Sequence, residues 1–433
     1  MTSTPLMIAC WKGNTGQVAA LLNTGAAVDD EHMPSGGRAL MVACDLGHEQ
    51  CALELLKAGA AVDAVENKQW TALMFAAQGG HEQCALELLK AGADANYAKA
   101  DDGFTALLLS CRYGHEQCAL ELLKAGADAN YAKADDGFTA LLLSCQYGHE
   151  QFESALLKAG ADPNKASNDG RTALMAACFS GHEQCLLELI KAGANVNYAQ
   201  LPSGHTALML SCQNGREQCA LALLKAGAAV DAQLPSGHTA LMASCQYGHE
   251  QCTRALLEAR ADPNKANNEG VTSLITAAEA GHEQCLLELL KAGAAVDKQG
   301  PQEWTALMFA CSSGHEQCTL ALLEAGVAVD HATANGATAL TVSCAAGHEQ
   351  CARALIMAGA VVDATEEDGW TALMFCCQNG HEHCALALLK AGANANAQNN
   401  EGTTSLMLSC QEGHGKCALT LLRAAANIHW RTA

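Results

Sequence analysis

Aromatic residues are scarce in this chain. Five Trp, six Tyr and seven Phe make up 4% of 433 residues. So few rings exclude one large aromatic core and favour many small, similar packing units. Charge is scarce as well, at 16%, and it is lopsided: 46 Asp and Glu face 25 Lys and Arg, a formal net charge of −21. A field of that sign repels phosphate backbones and anionic membrane surfaces, so neither nucleic acid nor membrane is an expected partner. No apolar run approaches the roughly 18 residues that span a bilayer. The opening residues, MTSTPLMIACWKGNTG, lack a basic stretch followed by an apolar core and do not read as a secretory leader. On that reading the compartment is the cytoplasm, or alternatively the nucleus, where thiols stay reduced. The 23 cysteines then do not read as a disulfide framework.

What the chain does have is repetition. GHEQCALELLKAGA occurs letter for letter at 47–60, 80–93 and 114–127. The residue that opens each unit lies at Thr4, Arg38, Thr71, Thr105, Thr139, Thr172, Thr206, Thr239, Thr272, Thr305, Thr338, Thr371 and Thr404, always 33 or 34 residues from the last. A fixed period of this length marks a repeat architecture. Thirteen units fill residues 1–433, which read as a single domain with no linker. Each unit predicts two short helices. A Thr can cap the first, as in Thr71-Ala72-Leu73-Met74-Phe75, and Gly80 ends it. The second is HEQCALELLK, with Glu82 in its first turn and Lys90 in its last, both matched to the helix dipole. Gly92 then supplies a left-handed stop. Helices this short are unstable alone, so only stacking can bury their apolar faces, and the expected fold is an all-α solenoid. Arg260 stands where eleven other units place Gly.

The pattern resembles the ankyrin repeat. The matching residues are the Thr-x-Leu opening, the paired small Ala/Cys positions, the Gly-His before the second helix, the Leu-Leu within it, and Gly92-Ala93-Asp94-Ala95-Asn96 after it. The resemblance implies a helix–turn–helix with a loop or β-turn finger in each repeat. Ankyrin repeats usually write Thr-Pro-Leu-His where this chain mostly writes Thr-Ala-Leu-Met; only Thr4-Pro5-Leu6 keeps the proline. Met is expected to fill the histidine's space as an apolar group. The resemblance also gives His48, His81, His115 and their counterparts a structural task in the turn. It implies a non-catalytic interaction scaffold or adaptor that binds protein partners through a concave face of fingers and first-helix ends.

Cysteine occupies two positions per unit, six and thirteen residues after the anchor, as in Cys44 and Cys51. Ala77 and Ala278 take the first position elsewhere, which is where ankyrin repeats usually have Ala. Free Cys packs as a small hydrophobe, and Cys-x6-Cys is not a zinc spacing. A thiol-based redox sensor or metal buffer is the alternative function, and the targeting module of a larger protein is another. No phosphate-binding loop or nucleophile elbow is present, so no enzyme activity and no cofactor are expected.

If constant positions are scaffold, function belongs in the variable ones. Ten of the eighteen aromatics fall on the residue before the anchor or the two residues before the Gly-His turn. The candidate partner-binding residues are Trp70, Phe104, Tyr113, Phe138, Tyr147, Phe179, Tyr247, Trp304 and Trp370. Phe75, Phe309 and Phe375 are expected in the core. Asp101, Asp102, Asp135 and Asp136 flank the cluster from Phe104 to Phe179, so the expected partner is a basic or amphipathic protein segment bound to a monomer. At the far end, the last unit keeps its leucines and has a weak polar cap.

Overall fold

A computed structural model describes residues 4–31 and 36–431. Among the described residues there are twenty-six α-helices, two for each repeat, and no extended strand. The all-α arrangement of helix pairs is the one expected.

The third repeat shows how each is made. Thr71 is extended, and its hydroxyl accepts from Met74 N at 3.2 Å, capping the helix Ala72–Gly79. Such a cap stabilises a helix by about 1 kcal/mol. Gly80 ends the helix at φ 71°. The second helix, Glu82–Lys90, follows at once, and its Lys90 pairs with Glu87 at 2.7 Å. Gly92 turns the chain at φ 91°. The loop then folds back on itself: in the finger before this repeat, Glu66 N donates to Trp70 O at 3.1 Å. Later fingers close with isolated antiparallel bridges, such as Thr365 with Thr371.

The chain divides into two compact units, residues 1–207 with 225–228, and residues 208–224 with 229–433. The first holds the helices from Pro5–Trp11 to Glu183–Lys191, and the second those from Ala207–Gln213 to Gly415–Arg431. Within each unit the first helices pack side by side and the second helices do the same. Leu73, Leu107 and Leu141 from the first helices and Leu55, Leu88 and Leu122 from the second are fully buried between them. Met74, Met175, Met308 and Met374 are buried too, filling the expected apolar space. In the last repeat Met407, Leu419 and Leu422 are exposed.

Polar ties fix the register of neighbouring repeats. His115 Nε2 donates to Gln78 O at 2.8 Å, His315 to Glu279 O at 3.0 Å and His348 to Ser312 O at 2.9 Å. Each carbonyl belongs to the end of the preceding repeat's first helix, where the helix leaves acceptors open. The histidine is therefore structural, as the resemblance implies. A second ladder runs along the loops. Asn96 Oδ1 accepts from Asp128 N at 2.7 Å while its Nδ2 donates to Gly126 O at 3.0 Å. Asp297 accepts from Ala328 N at 2.8 Å.

The cysteines belong to this packing. Of the 23, all but Cys410 are buried, and none is in a disulfide. Cys118 Sγ sits 3.9 Å from Ala76 O of the preceding repeat, and Thr253 Oγ1 donates to Cys285 Sγ at 3.5 Å. Burial pushes the Cys10 and Cys118 thiols up to about 12 and that of Cys318 up to about 11. Cys285 goes the other way, to about 7, because it accepts from the Cys245 thiol, yet it is sealed at 1% exposure. A thiol sensor needs accessible, acidic thiols. Burial denies that access, so this alternative has no support.

Two places break the pattern. Arg260 takes the left-handed position of the glycines at φ 67°, where an L-residue costs on the order of 1 kcal/mol. The larger departure is in Glu150–Lys158, where Phe152 and Glu153 replace the Cys-Ala of the common phrase. Phe152 is buried and packs 5.6 Å from the His149 ring, whose Nε2 is buried with no hydrogen-bond partner. Glu153 is fully buried with neither oxygen bonded to nitrogen or oxygen. Burial pushes its pKa up to about 7; the thiols of Cys185 and Cys145 partly offset this, and Glu150 and Glu188 repel the charge.

Two predictions follow from this packing. Because the folded pKa of Glu153 is raised, this residue's cost to stability grows as pH rises from about 4.5 to about 7 and is constant above. Glu153→Ala, which restores the common residue, is expected to raise the unfolding free energy measured in urea at pH 8 by up to about 3 kcal/mol. The gain should be roughly half as large at pH 5.5. A gain independent of pH would contradict an ionising carboxyl in the core. For the thiols, a disulfide probe such as DTNB should find one fast-reacting group in the native chain, lost in Cys410→Ser, and all 23 after denaturation. Several fast thiols in the native chain would contradict the packing role.

Candidate protein-interaction surface

The residue before each anchor ends a finger and is held beside the first helix by the hairpin that precedes it. Trp70, Phe104, Phe138, Trp304 and Trp370 are all half-buried there. Each Trp packs on a Phe four residues past the anchor. Trp70 lies 5.1 Å from Phe75, Trp304 5.2 Å from Phe309 and Trp370 5.1 Å from Phe375. These three Phe residues are thus half-buried partners of the finger, not the core residues expected from the sequence. The reason is geometric: one turn past the cap, the side chain points toward its own finger instead of the neighbouring helices.

In the first unit the rings carry cations from the same chain. Lys99 Nζ lies 5.3 Å from the Trp70 ring centre and Lys133 Nζ 4.5 Å from that of Phe104. Arg112 lies over both Phe104 and Tyr113, at 5.5 and 5.7 Å, and Arg171 lies 5.8 Å from Phe138. Cation–π contacts of this kind contribute about 0.5–2 kcal/mol. Lys99 and Lys133 are buried, and their charge is matched locally. Lys99 pairs with Asp102 at 2.8 Å and Asp101 at 3.3 Å. Lys133 pairs with Asp135 at 2.9 Å and Asp136 at 3.1 Å. Burial works against the Lys99 ammonium, but its bonds to Asp102 and Asp101 outweigh it and raise the pKa. Half of the acidic rim is therefore neutralised from within, and each of these loops keeps one net negative charge.

The aromatics at the first-helix ends stand apart from this arrangement. Tyr113, Tyr147, Phe179 and Tyr247 are 46%, 44%, 55% and 49% exposed. Tyr113 is steadied by Gln78 Nε2, which donates to its hydroxyl at 3.4 Å. Tyr147 and Tyr247 stack on His149 and His249, two residues on, at 6.2 and 6.4 Å. The structure thus brings Phe104, Arg112, Tyr113 and Lys133 into one patch of the first unit. Trp304 and Trp370 each remain with their own Phe in the second.

Sequence reasoning missed the covering cations and the Trp–Phe pairing. The second had a signal. Phe occurs four residues past the anchor only in the repeats that have Trp just before it: QWTALMF, EWTALMF and GWTALMF. Among the described residues no group of three or more His, Cys, Asp or Glu is arranged to hold a metal ion, and no helix is long and apolar enough to cross a membrane.

Comparison with known proteins agrees with this architecture. Among curated proteins, no significant match is found. Among solved structures, the ankyrin repeat domain of human ASB11 is similar at 27% identity and a TM-score of 0.47, over 51% of this chain and 98% of that one. The family model for ankyrin repeats in three copies matches residues 2–66, 58–133, 96–167, 129–200, 154–234, 208–300, 292–366 and 358–431. With thirteen helix pairs of the expected form and matches across nearly every residue, the chain belongs to the ankyrin repeat family.

Proposed function

We propose that the chain is a non-catalytic scaffold that holds protein partners on the face made by its fingers and first-helix ends. One observation carries this reading. Tyr113, Tyr147 and Phe179 occupy nearly the same position in three successive repeats and remain about half exposed. Rings left in water on one face of a regular frame are what protein interfaces use as anchors. The frame is fixed by buried leucines and inter-repeat hydrogen bonds, so little order has to be gained on binding. Trp70, Phe104 and Phe138 lie beneath or beside their own cations and form the floor of this surface. The net charge of −21 favours a basic or amphipathic partner segment.

The test replaces the half-exposed rings. Tyr113→Ala, Tyr147→Ala and Phe179→Ala are combined, and proteins captured from cell extract by the variant and the parent are compared by mass spectrometry. The variant is expected to lose partners at least tenfold in abundance while keeping its far-UV circular dichroism and urea midpoint. An unchanged partner profile would overturn the placement.

A further inference from the structure

The fifth repeat departs from its neighbours at one turn, in several ways at once. In other repeats the histidine of the turn donates to a carbonyl of the preceding first helix, as His115 does to Gln78 O at 2.8 Å. His149 lacks this tie, and its Nε2 is buried without a hydrogen-bond partner. Its ring also stands differently against the preceding repeat. A Cβ at Gly114 would meet Cε1 of His149 first, at 2.8 Å, whereas one at Gly80 would meet Nδ1 of His115 at 2.4 Å. Gln146 Oε1, near the end of the first helix, is buried and unbonded as well. The helix that follows begins tightly. Phe152 N donates to His149 O at 3.0 Å, three residues back, where Ala119 N reaches four residues back to His115 O at 3.1 Å. Beside Phe152 stands Glu153, fully buried, with neither carboxyl oxygen bonded to nitrogen or oxygen.

The groups around this carboxyl offer it no cation. Cys145 faces it from the repeat's own first helix, Ala140–Tyr147, and Cys185 and Glu188 face it from the next second helix, Glu183–Lys191. Glu150 lies one turn back on its own helix, with His149 at the start. On the preceding second helix, Glu116 borders Phe152, and Lys124 borders Ser154 and Lys158, but neither bonds Glu153. A carboxylate in this place has thiols for its only donors and two further carboxylates against it. Leaving a buried charge so poorly matched is costly. The helix that carries it has nine residues and cannot stand alone. Local opening begins where such support is weakest. We propose that the fifth repeat is a pH-dependent joint, whose second helix, Glu150–Lys158, opens locally and ahead of the rest of the first unit when Glu153 loses its proton. In the open form the carboxylate is hydrated and titrates as an ordinary glutamate. In the closed form burial raises its pKa to about 7, the thiols of Cys185 and Cys145 partly offset this, and Glu150 and Glu188 add to it. The opening therefore becomes easier as pH rises from about 4.5 to about 7 and levels off above. Tyr147 stacks on His149 at 6.2 Å, so the opening reaches an exposed ring of the finger face. The inference does not rest on what that ring binds.

The test reads the two thiols that face Glu153. The full chain is labelled with N-ethylmaleimide at pH 6 and pH 8, and each cysteine is followed by peptide mass spectrometry. Every rate is divided by that of the same cysteine in the urea-denatured chain at the same pH, which removes the thiol's own ionisation. Cys44 and Cys51, buried in the second repeat, are the reference. The relative rates at Cys145 and Cys185 are expected to rise about tenfold from pH 6 to pH 8, while those at Cys44 and Cys51 stay level. Glu153→Gln keeps the size of the side chain but cannot ionise, and it should abolish the rise. Glu153→Ala should abolish it too, and it places in this core the residue that other repeats use there. A rise of equal size at Cys44 and Cys51, a rise that survives both substitutions, or no rise at Cys145 and Cys185 would each overturn the joint.

Discussion

Stacking of one repeat on the next turns on a contact that no single repeat can make for itself. Gly281 ends its helix at φ 76°, and the ring of His315 from the next repeat sits against it. A Cβ at Gly281 would lie 2.4 Å from His315 Nδ1, so nothing larger than hydrogen fits. The other ring nitrogen donates to Glu279 O, which pins the ring in that place. Eleven glycines of the described chain meet the following histidine in this way, from Gly13 with His48 to Gly380 with His414. Glycine is therefore required twice, once for its backbone and once for its missing side chain. The arrangement lets the neighbouring repeat approach as closely as a bare glycine allows.

With that spacing fixed, the remaining positions divide by what they touch. Those facing the neighbouring helices become leucine, alanine, methionine and cysteine, which explains 22 buried thiols without any thiol chemistry. Those on the fingers and first-helix ends face water or their own loop, and there the sequence varies. The fifth repeat shows what happens when the division is ignored. Phe152 packs against His149, whose Nε2 has no hydrogen-bond partner, and Glu153 puts a carboxyl where other repeats place Ala, Leu, Thr or Val. A frame with many equivalent joints tolerates one poor joint, because each repeat depends mainly on its neighbours.

Much of the frame was legible because each signal is local and recurs. Thr71 as a cap, Gly80 as a stop and the Leu positions follow from helix chemistry repeated at a fixed period. The burial of Cys44 and Cys51 was legible from Ala at the same position in other repeats. The surface was harder to read because it depends on how a finger folds back. Nothing in the string puts Lys99 over Trp70, since the two come from different fingers. Phe75 looked like a core residue because the residues around it are core. Only the joint occurrence of Trp and Phe in three repeats could have placed them together, and that is a statement about pairs, which a period alone does not convey. Glu153 was visible as a departure from the common phrase, but its consequence needed the burial of its neighbours.

The most direct measurement of the central contact compares two glycines that share a backbone conformation and differ only in what stands beside them. Gly281 faces the His315 ring, whereas Gly293, at φ 82°, faces open space. The account predicts that Gly281→Ala lowers the urea midpoint well beyond Gly293→Ala, the excess corresponding to about 2 kcal/mol of overpacking. It also predicts that this excess disappears when both substitutions are made in a His315→Ala background. Equal costs at the two glycines, or an excess that survives removal of the histidine, would contradict the claim that this contact sets the register of the array.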